Sequence, residues 1–373
     1  MTITRFSFPT TIHFGPGSRK LVAEHLKAAG CKRPLIVTDR GVAELPMLHE
    51  FRTGLSAYAP GVFSGVFGNP KASQVMAGAD AYRAEGADSV IGFGGGAALD
   101  VAKAIALMGV HDGNVIEYAW DHPKVRPMDR ALPHFIALPT TAGTGSEVGR
   151  SSVISEDDTH VKRILFSPLL LAKAVFADPE LTLGLPANIT AATGMDALVH
   201  NIESYLSPAY HPLCDGIALE GVRIAARALL VAVREPGNLQ ARSDMLMASM
   251  MGAIAFQKDL GAVHSCAHAL STVADLHHGL ANGIMVDHVM RFNEPAAREK
   301  MAELARVAGE ASFIPWLTRL KAQIGIPARL VAAGVKPEHA ARFADIAIAD
   351  ICHQTNPRPC TKQDFEQLFA AAL

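Results

Sequence analysis

Apolar and polar positions follow two different rhythms along this chain. In the first half, short apolar runs end abruptly at turn-forming or hydroxyl residues. Pro34-Leu35-Ile36-Val37-Thr38 runs into Asp39, Ser89-Val90-Ile91-Gly92-Phe93 into Gly94-Gly95-Gly96, and His134-Phe135-Ile136-Ala137-Leu138 into Pro139-Thr140-Thr141. Runs of this length with such boundaries predict strands buried on both faces. Between them, Arg19 to Ala29 (with Ser18 as the expected N-cap) and Ala72 to Glu85 carry helical spacing. Strands separated by helices imply parallel pairing and right-handed crossovers.

Beyond about Leu185 the strand-like runs stop. Ala191 to Leu206, Leu213 to Glu235, Ala241 to Gln257 and His264 to Ala274 are long and helically periodic, and Lys336-Pro337-Glu338 opens a further helix with Pro near its first turn. Pro and turn residues cluster from Asp178-Pro179 to Pro186. The pattern therefore predicts an α/β parallel-sheet domain over residues 1–185 and an all-helical domain over 186–373, without internal repeats. Met245, Met247, Met250 and Met251 read as core filler of one helix.

Composition narrows the class. The chain has 373 residues, enough for two domains with substantial cores. Its net charge of −2 argues against nucleic acid as a partner. No uncharged apolar run approaches the roughly 18 residues needed to span a bilayer, and Met1 to Phe6 lacks the basic segment and apolar core of a secretion signal. The five Cys are odd in number, scattered and without a CxxC pair, as in a reduced cytoplasmic protein. Cys266, between His264 and His268, lies on a different helix face from both and reads as packing.

The sharpest chemical signal is histidine clustering. His264, His268, His277 and His278 fall within 15 residues, whereas 16 His in the whole chain predict about 0.6 per such window. Asp196 and His200 are four apart, as are His264 and His268, so each pair shares a helix face. One carboxylate with several imidazoles suits a borderline divalent ion such as Zn²⁺ or Fe²⁺. The residues alone offer more ligands than a four-coordinate site takes, and spacing does not choose among them.

A second signal lies at the strand ends. Gly94-Gly95-Gly96-Ala97-Ala98-Leu99-Asp100-Val101-Ala102-Lys103 places a glycine run between a strand and a helix, where backbone amides can approach phosphates. Pro139-Thr140-Thr141-Ala142-Gly143-Thr144-Gly145-Ser146-Glu147 is a second small-residue loop, with hydroxyls for phosphate or ribose. Asp39, ending the first strand, sits where a carboxylate accepts hydrogen bonds from an adenosine ribose. A carboxylate there repels a 2′-phosphate and favours NAD over NADP, although Arg40 follows it directly. Three such loops point to one dinucleotide.

Together these residues resemble the iron-containing (group III) alcohol dehydrogenases, relatives of glycerol dehydrogenase and dehydroquinate synthase. The resemblance runs over nearly the whole chain: Phe14-Gly15-Pro16-Gly17, the GGG…D…AK loop, PTTAGTGSE, Asp178-Pro179, Ala192-Thr193-Gly194-Met195-Asp196-Ala197, the His264–His278 block and Asn356-Pro357-Arg358. It implies a Rossmann-like nucleotide domain plus an all-helical domain of dehydroquinate synthase-like fold. It assigns the metal ligands to Asp196, His200, His264 and His278, with Fe²⁺ or Zn²⁺ as the ion. His268 falls at the non-ligand His beside the metal and nicotinamide, assigned in the family to proton relay or cofactor contact, and is the catalytic candidate. His277 stands where many members have Pro, and His211, His288 and His353 match no family site. The cofactor residues implied are Asp39, Gly94, Gly95, Gly96, Asp100, Lys103, Thr140, Thr141 and Thr144.

The implied activity is hydride transfer between a small alcohol or aldehyde and NAD, in a cytoplasmic homodimer. Three departures from the commonest family pattern bear on substrate: GGGAALD for GGGSPxD, Phe256-Gln257-Lys258-Asp259 for an asparagine-rich segment, and Gly149-Arg150 after the GTGSE loop. Two alternatives have less support in the residues. A dehydroquinate-synthase-like lyase, using NAD transiently, would need basic residues for a phosphorylated substrate, and few flank His264 and His278. A non-catalytic metal or nucleotide sensor would not need every ligand position and His268 filled.

Overall fold

The structure is a computed structural model that describes residue 8 and residues 10–373. It divides into two compact units, one of residues 10–141 with 146–182, the other of 183–373 with 142–145. The second unit thus begins at residue 183, and the segment 142–145 belongs with its helices.

The first unit holds eight strands: β1 Thr11–Phe14, β2 Pro34–Asp39, β3 Gly61–Val66, β4 Ser89–Gly94, β5 His134–Pro139, β6 Ser151–Ser155, β7 Lys162–Phe166 and β8 Ala174–Ala177. Six form one parallel sheet in the order β1-β8-β5-β4-β2-β3. Helices α1 Val22–Ala28, α2 Arg40–Ala43, α3 Pro46–Gly54, α4 Ala72–Ala84 and α5 Gly96–Met108 are its α-helical segments. Strand β4 is buried at every position, which is why its sequence is continuous rather than alternating. The three strands read from sequence are β2, β4 and β5. The other five were not anticipated: the hairpin strands β6 and β7, and in the parallel sheet β1 and β8, with only four residues each, and β3, with Gly at two of six positions. Short or glycine-bearing segments acquire extended structure by pairing, not from their own pattern. Ser18 is not a helix N-cap. It opens a 3₁₀ turn, Ser18–Leu21, entered from Gly17 at φ 79°, and α1 begins only at Val22.

The sheet order contains one reversal of winding direction. From β2 the chain steps outward to β3; from β3 it returns to β4 on the other side of β2 and proceeds to β5 and β8. The switch point therefore lies between β2 and β4, the place where open α/β sheets bind ligands outside the strand carboxyl ends. Pairing of Ser89↔His134 through Gly94↔Pro139 carries the ends of β4 and β5 out side by side, and Thr140 N donates to Gly94 O at 3.0 Å.

The antiparallel hairpin β6–β7 stands apart from that sheet. A two-stranded ribbon is marginal alone, and here α5 fastens it. Lys103 Nζ donates to Ser151 O (2.7 Å) and to Ser146 Oγ (2.8 Å); Val153 N and Ser146 Oγ donate to the Asp100 carboxylate (3.0 and 2.5 Å). Burial pushes the Lys103 ammonium down and the Asp100 carboxyl up, each opposed by the charge of the other.

The second unit consists of α6 Ala187–Leu206, α7 Pro212–Arg234, α8 Leu239–Ala255, α9 Ala262–Ala274, α10 His278–Ala308, α11 Phe313–Gln323, α12 Ala340–Ala349 and α13 Lys362–Ala372, with short 3₁₀ turns. Lys336-Pro337-Glu338 opens a 3₁₀ turn, Pro337–His339, that leads directly into α12. Met245 and Met250 are buried in α8 as core residues. Among the described residues no helix is long and apolar enough to cross a membrane.

One feature of the sheet unit is testable by pH. His25 Nε2 on α1 lies 2.9 Å from His134 Nε2 on β5, so only one of the two can donate and both cannot be charged without repulsion. Burial, then His13, lowers the His25 pKa; burial, then His25 and Lys173, lowers that of His134. Depressed folded values mean that the unfolded chain binds more protons in acid. Stability is therefore full above the ordinary histidine value of about 6.5 and is lost as pH falls through it toward the folded values. His134→Asn is expected to flatten the decline of the urea midpoint between about pH 7 and 5. An acid slope equal to that of the parent protein would refute this.

Candidate metal and nucleotide sites

The candidate metal site is built on α6. Asp196, His200 and Glu203 recur at i, i+4 and i+7, so all three share one buried face. Helix α9 brings His264 to that face, and α10 brings His278 in its first turn. Close approach is secured by glycine at two points. A β-carbon at Gly279 would lie 2.3 Å from the Ala192 carbonyl oxygen, and one at Gly261 would lie 2.6 Å from Glu203 Oε1.

Three imidazoles converge on one carboxylate oxygen. Asp196 Oδ1 lies 3.9 Å from His200 Nε2, 3.8 Å from His264 Nε2 and 3.6 Å from His278 Nε2. Ligands about 2.0–2.2 Å from a tetrahedral ion are roughly 3.3–3.6 Å apart, so a small inward shift would seat one ion. Asp196, His200 and His264 offer ligand atoms all within 4.8 Å of one another. His278 is the most open member, with 23% of its side chain exposed. Burial pushes His200 down to about 4, which keeps its lone pair available near neutrality. The donor set fits a borderline divalent cation.

Glu203 orients the set. Its Oε2 lies 2.6 Å from His264 Nδ1, so His264 donates from Nδ1 and turns Nε2 toward Asp196. The same carboxylate accepts from Val263 N (2.7 Å) and His264 N (3.3 Å), capping the amino end of α9. Asn356, of the Asn356-Pro357-Arg358 motif, completes that cap by accepting from Ala262 N at 3.2 Å. Asn282 Nδ2 donates to Asp196 Oδ1 at 2.7 Å. The sequence reading passed over Glu203 and Asn282, although the seven-residue step from Asp196 to Glu203 was a usable signal. Phe256, from the segment that departs from the family pattern, packs its ring 5.2 Å from that of His200.

The other clustered histidines separate by role. His268 donates from Nδ1 to Asp350 Oδ2 at 2.7 Å and stacks on His278 with ring centres 5.3 Å apart. His277 is the N-cap of α10 and accepts from Leu280 N at 3.4 Å. His353 lies 3.0 Å from Ile348 O, and His211 precedes α7 against Cys214. Cys266 is fully buried in α9.

In the sheet unit, Asp39 and the glycine run flank the switch point. A β-carbon on Gly94 would lie 2.7 Å from Ala98 Cβ and 3.3 Å from Asp39 Oδ2, and one on Gly95 would lie 3.1 Å from Thr141 Cγ2. Side chains would fill this crowded cradle. Asp39 Oδ1 also accepts from Val42 N at 2.9 Å, and Arg40 is drawn aside over the Phe67 ring, 3.9 Å from its centre. Asp100 and Lys103 are turned inward, onto Ser146, Ser151 and Val153. Thr140 and Thr141 stay with the sheet, whereas Thr144 travels with the segment that packs on helices, Gly143 against Thr193 and Gly145 against Ala253.

Comparison with known proteins agrees with both halves. The family profile of iron-containing alcohol dehydrogenase matches residues 9–179, and that of the Fe-containing alcohol dehydrogenase family, C-terminal, matches 190–373. The chain belongs to the iron-containing alcohol dehydrogenase family. It is 37% identical over 377 residues to a 4-hydroxybutyrate dehydrogenase of Cupriavidus necator, covering 98% of each chain. A crystal structure of 1,3-propanediol oxidoreductase superposes with a TM-score of 0.94 at 35% identity, covering 100% of both chains. A sulfoacetaldehyde reductase from Bifidobacterium kashiwanohense, in complex with NAD⁺, superposes at 0.90 with 29% identity, over 100% of this chain and 99% of that one. The dehydrogenase is thus an oxidoreductase of alcohols and aldehydes with NAD and a divalent metal as cofactors, and its two-part α/β and helical architecture is that of the family.

Glu203→Gln keeps the shape and an acceptor for α9 but removes the charge behind His264. It is expected to weaken metal affinity about 10–100-fold, as measured by chelator competition, with helical circular dichroism unchanged. Unaltered affinity would show that Glu203 only caps the helix.

Proposed function

We propose that Asp196, His200, His264 and His278 hold one Fe²⁺ or Zn²⁺ and that this site, with NAD bound at the β2–β4 switch point, interconverts small primary alcohols and their aldehydes. The convergence of three Nε2 atoms on one Asp196 oxygen, within 3.6–3.9 Å, carries this reading. A divalent ion so held supplies Lewis acidity toward an alcohol or carbonyl oxygen, and NAD supplies the hydride acceptor.

The chain's own contributions follow from placement. Gly94, Gly95 and Gly96 present bare amides at the amino end of α5 for the pyrophosphate. Thr140, Thr141 and Thr144 offer hydroxyls. Asp39 receives the adenosine ribose, while Asp100 and Lys103 serve the cofactor indirectly, bracing the Ser146 loop. His268 takes up the proton that the alcohol hydroxyl gives up as hydride leaves its carbon, and returns it in the reductive direction. The names of the similar proteins, for 4-hydroxybutyrate, 1,3-propanediol and sulfoacetaldehyde, favour a substrate with a second polar group beyond the reacting carbon. Five free cysteines accord with a reducing cytoplasm, and a homodimer is the assembly that family membership favours.

His200→Ala is expected to lose bound metal and NADH formation from 1,3-propanediol together, with the thermal unfolding transition retained. Stoichiometric metal in this variant would overturn the ligand assignment.

The assignment of Asp39 makes a separate prediction about cofactor choice. Asp39→Asn keeps the N-cap acceptor but removes the charge that repels a 2′-phosphate, and should raise the NADP:NAD ratio of kcat/KM by about tenfold or more. Equal efficiency with both cofactors in the parent protein would refute the role of Asp39.

A further inference from the structure

We propose that Asp350 is the positioning residue for His268, holding its imidazole with Nδ1 protonated so that Nε2 is the atom that accepts the substrate proton. The inference rests on the reading of His268 as proton acceptor and adds the group that makes it one. Asp350 follows the last residue of α12, and His268 lies one turn beyond His264 on α9. Asp350 Oδ2 receives the His268 Nδ1 proton at 2.7 Å. Its other oxygen accepts from Ser265 Oγ at 2.8 Å and Cys352 N at 2.9 Å, and Ser265 Oγ in turn accepts from His353 N at 2.9 Å.

Every bond in this set constrains the same degree of freedom. With Oδ1 pinned by two donors, Oδ2 has one place to stand, and an ionised carboxylate is acceptor-only, so the ring must present N–H there. A neutral imidazole protonated at Nδ1 is unprotonated at Nε2. Stacking against His278, with planes 19° apart, limits rotation of the ring from its other side. The hydrogen bonds that Asp350 accepts from His268, Cys352 N and Ser265 Oγ each favour its ionised form against the cost of burial.

His268, Asp350 and Cys352 also have the spacing of a second cation site. Two observations favour the orienting role. The carboxylate oxygens are already committed to three donors, Ser265 Oγ, Cys352 N and His268 Nδ1, and burial pushes the Cys352 thiol well above its ordinary value, away from the thiolate a metal needs.

Asp350→Asn tests this in the metal-loaded enzyme with NAD⁺ and 1,3-propanediol. The amide preserves the shape and an acceptor for Ser265 and Cys352, but directs an N–H at His268 Nδ1 and selects the opposite tautomer. The expected result is a fall in kcat of about 10²-fold or more, with KM and metal content within about twofold of the parent protein. Asp350→Glu, which keeps an ionised acceptor, should recover at least about a tenth of the parent kcat. In a His268→Ala background, Asp350→Asn should cause no further loss, because the two residues act as one unit. ¹⁵N-histidine spectra of the metal-free protein supply a readout independent of turnover: His268 should be protonated at Nδ1 in the parent protein and at Nε2 in Asp350→Asn. An unchanged tautomer, a full additional loss in the His268→Ala background, Glu as impaired as Asn, or a second metal equivalent that Asp350→Asn removes would each overturn the proposal. Retention of the parent rate by His268→Ala alone would instead refute the proton-acceptor reading on which it rests.

Discussion

The carboxylate of Glu203 is the constraint on which the candidate metal site depends. It leaves α6 on the face that carries Asp196 and His200 and enters the first turn of α9, where two backbone amides and the His264 ring all donate to it. One buried carboxylate therefore caps a helix, fixes that helix against α6 and selects the tautomer of a proposed ligand. Taking a carboxylate out of water costs several kcal/mol, and only a full set of donors offsets this. Losing the carboxylate would strand buried donors at about 1–3 kcal/mol each. Gly261 is part of the same device, since any side chain there would collide with Glu203.

Helix α9 repeats the arrangement one turn later. His264 and His268 each donate from Nδ1 to a carboxylate supplied by another helix, Glu203 on α6 and Asp350 at the end of α12. The two histidines differ in what their remaining nitrogen faces. That of His264 points at Asp196, whereas His268 lies beside the ligand cluster, stacked on His278. A shared helix and two separate anchors thus suit the roles proposed for them, His264 as ligand and His268 as proton acceptor.

In the sheet unit the governing constraint is register. Parallel pairing of β4 with β5 and of β4 with β2 brings Asp39, Gly94 and Thr140 to one edge of the sheet. The sheet reverses its winding direction at that edge, so no crossover helix covers the crevice between β2 and β4. Lys103 and Asp100 anchor the next loop from beneath and tie a hairpin that would not hold alone.

Much of this was readable without coordinates. Continuous apolar runs identified β2, β4 and β5, because strands buried on both faces must be apolar throughout. Helical periodicity located the long helices of the second half, and the four-residue spacings of Asp196/His200 and His264/His268 placed each pair on one helix face. The resemblance of the motifs then singled out four candidate ligands from a surplus that spacing could not reduce. What the chain alone left undetermined is whatever depends on residues distant in sequence. Strands β1, β3 and β8 are extended because neighbours pair with them, and Ser18 yields its expected cap to a turn set by Gly17. Asp350 is 82 residues from His268 and Glu203 is 61 from His264, separations over which no local periodicity carries information. Local pattern determines which side chains share a helix face or a strand end. Only the packing of α6, α9 and α12 determines which carboxylate meets which imidazole, because that meeting is made by tertiary contact between elements whose own sequences are indifferent to it.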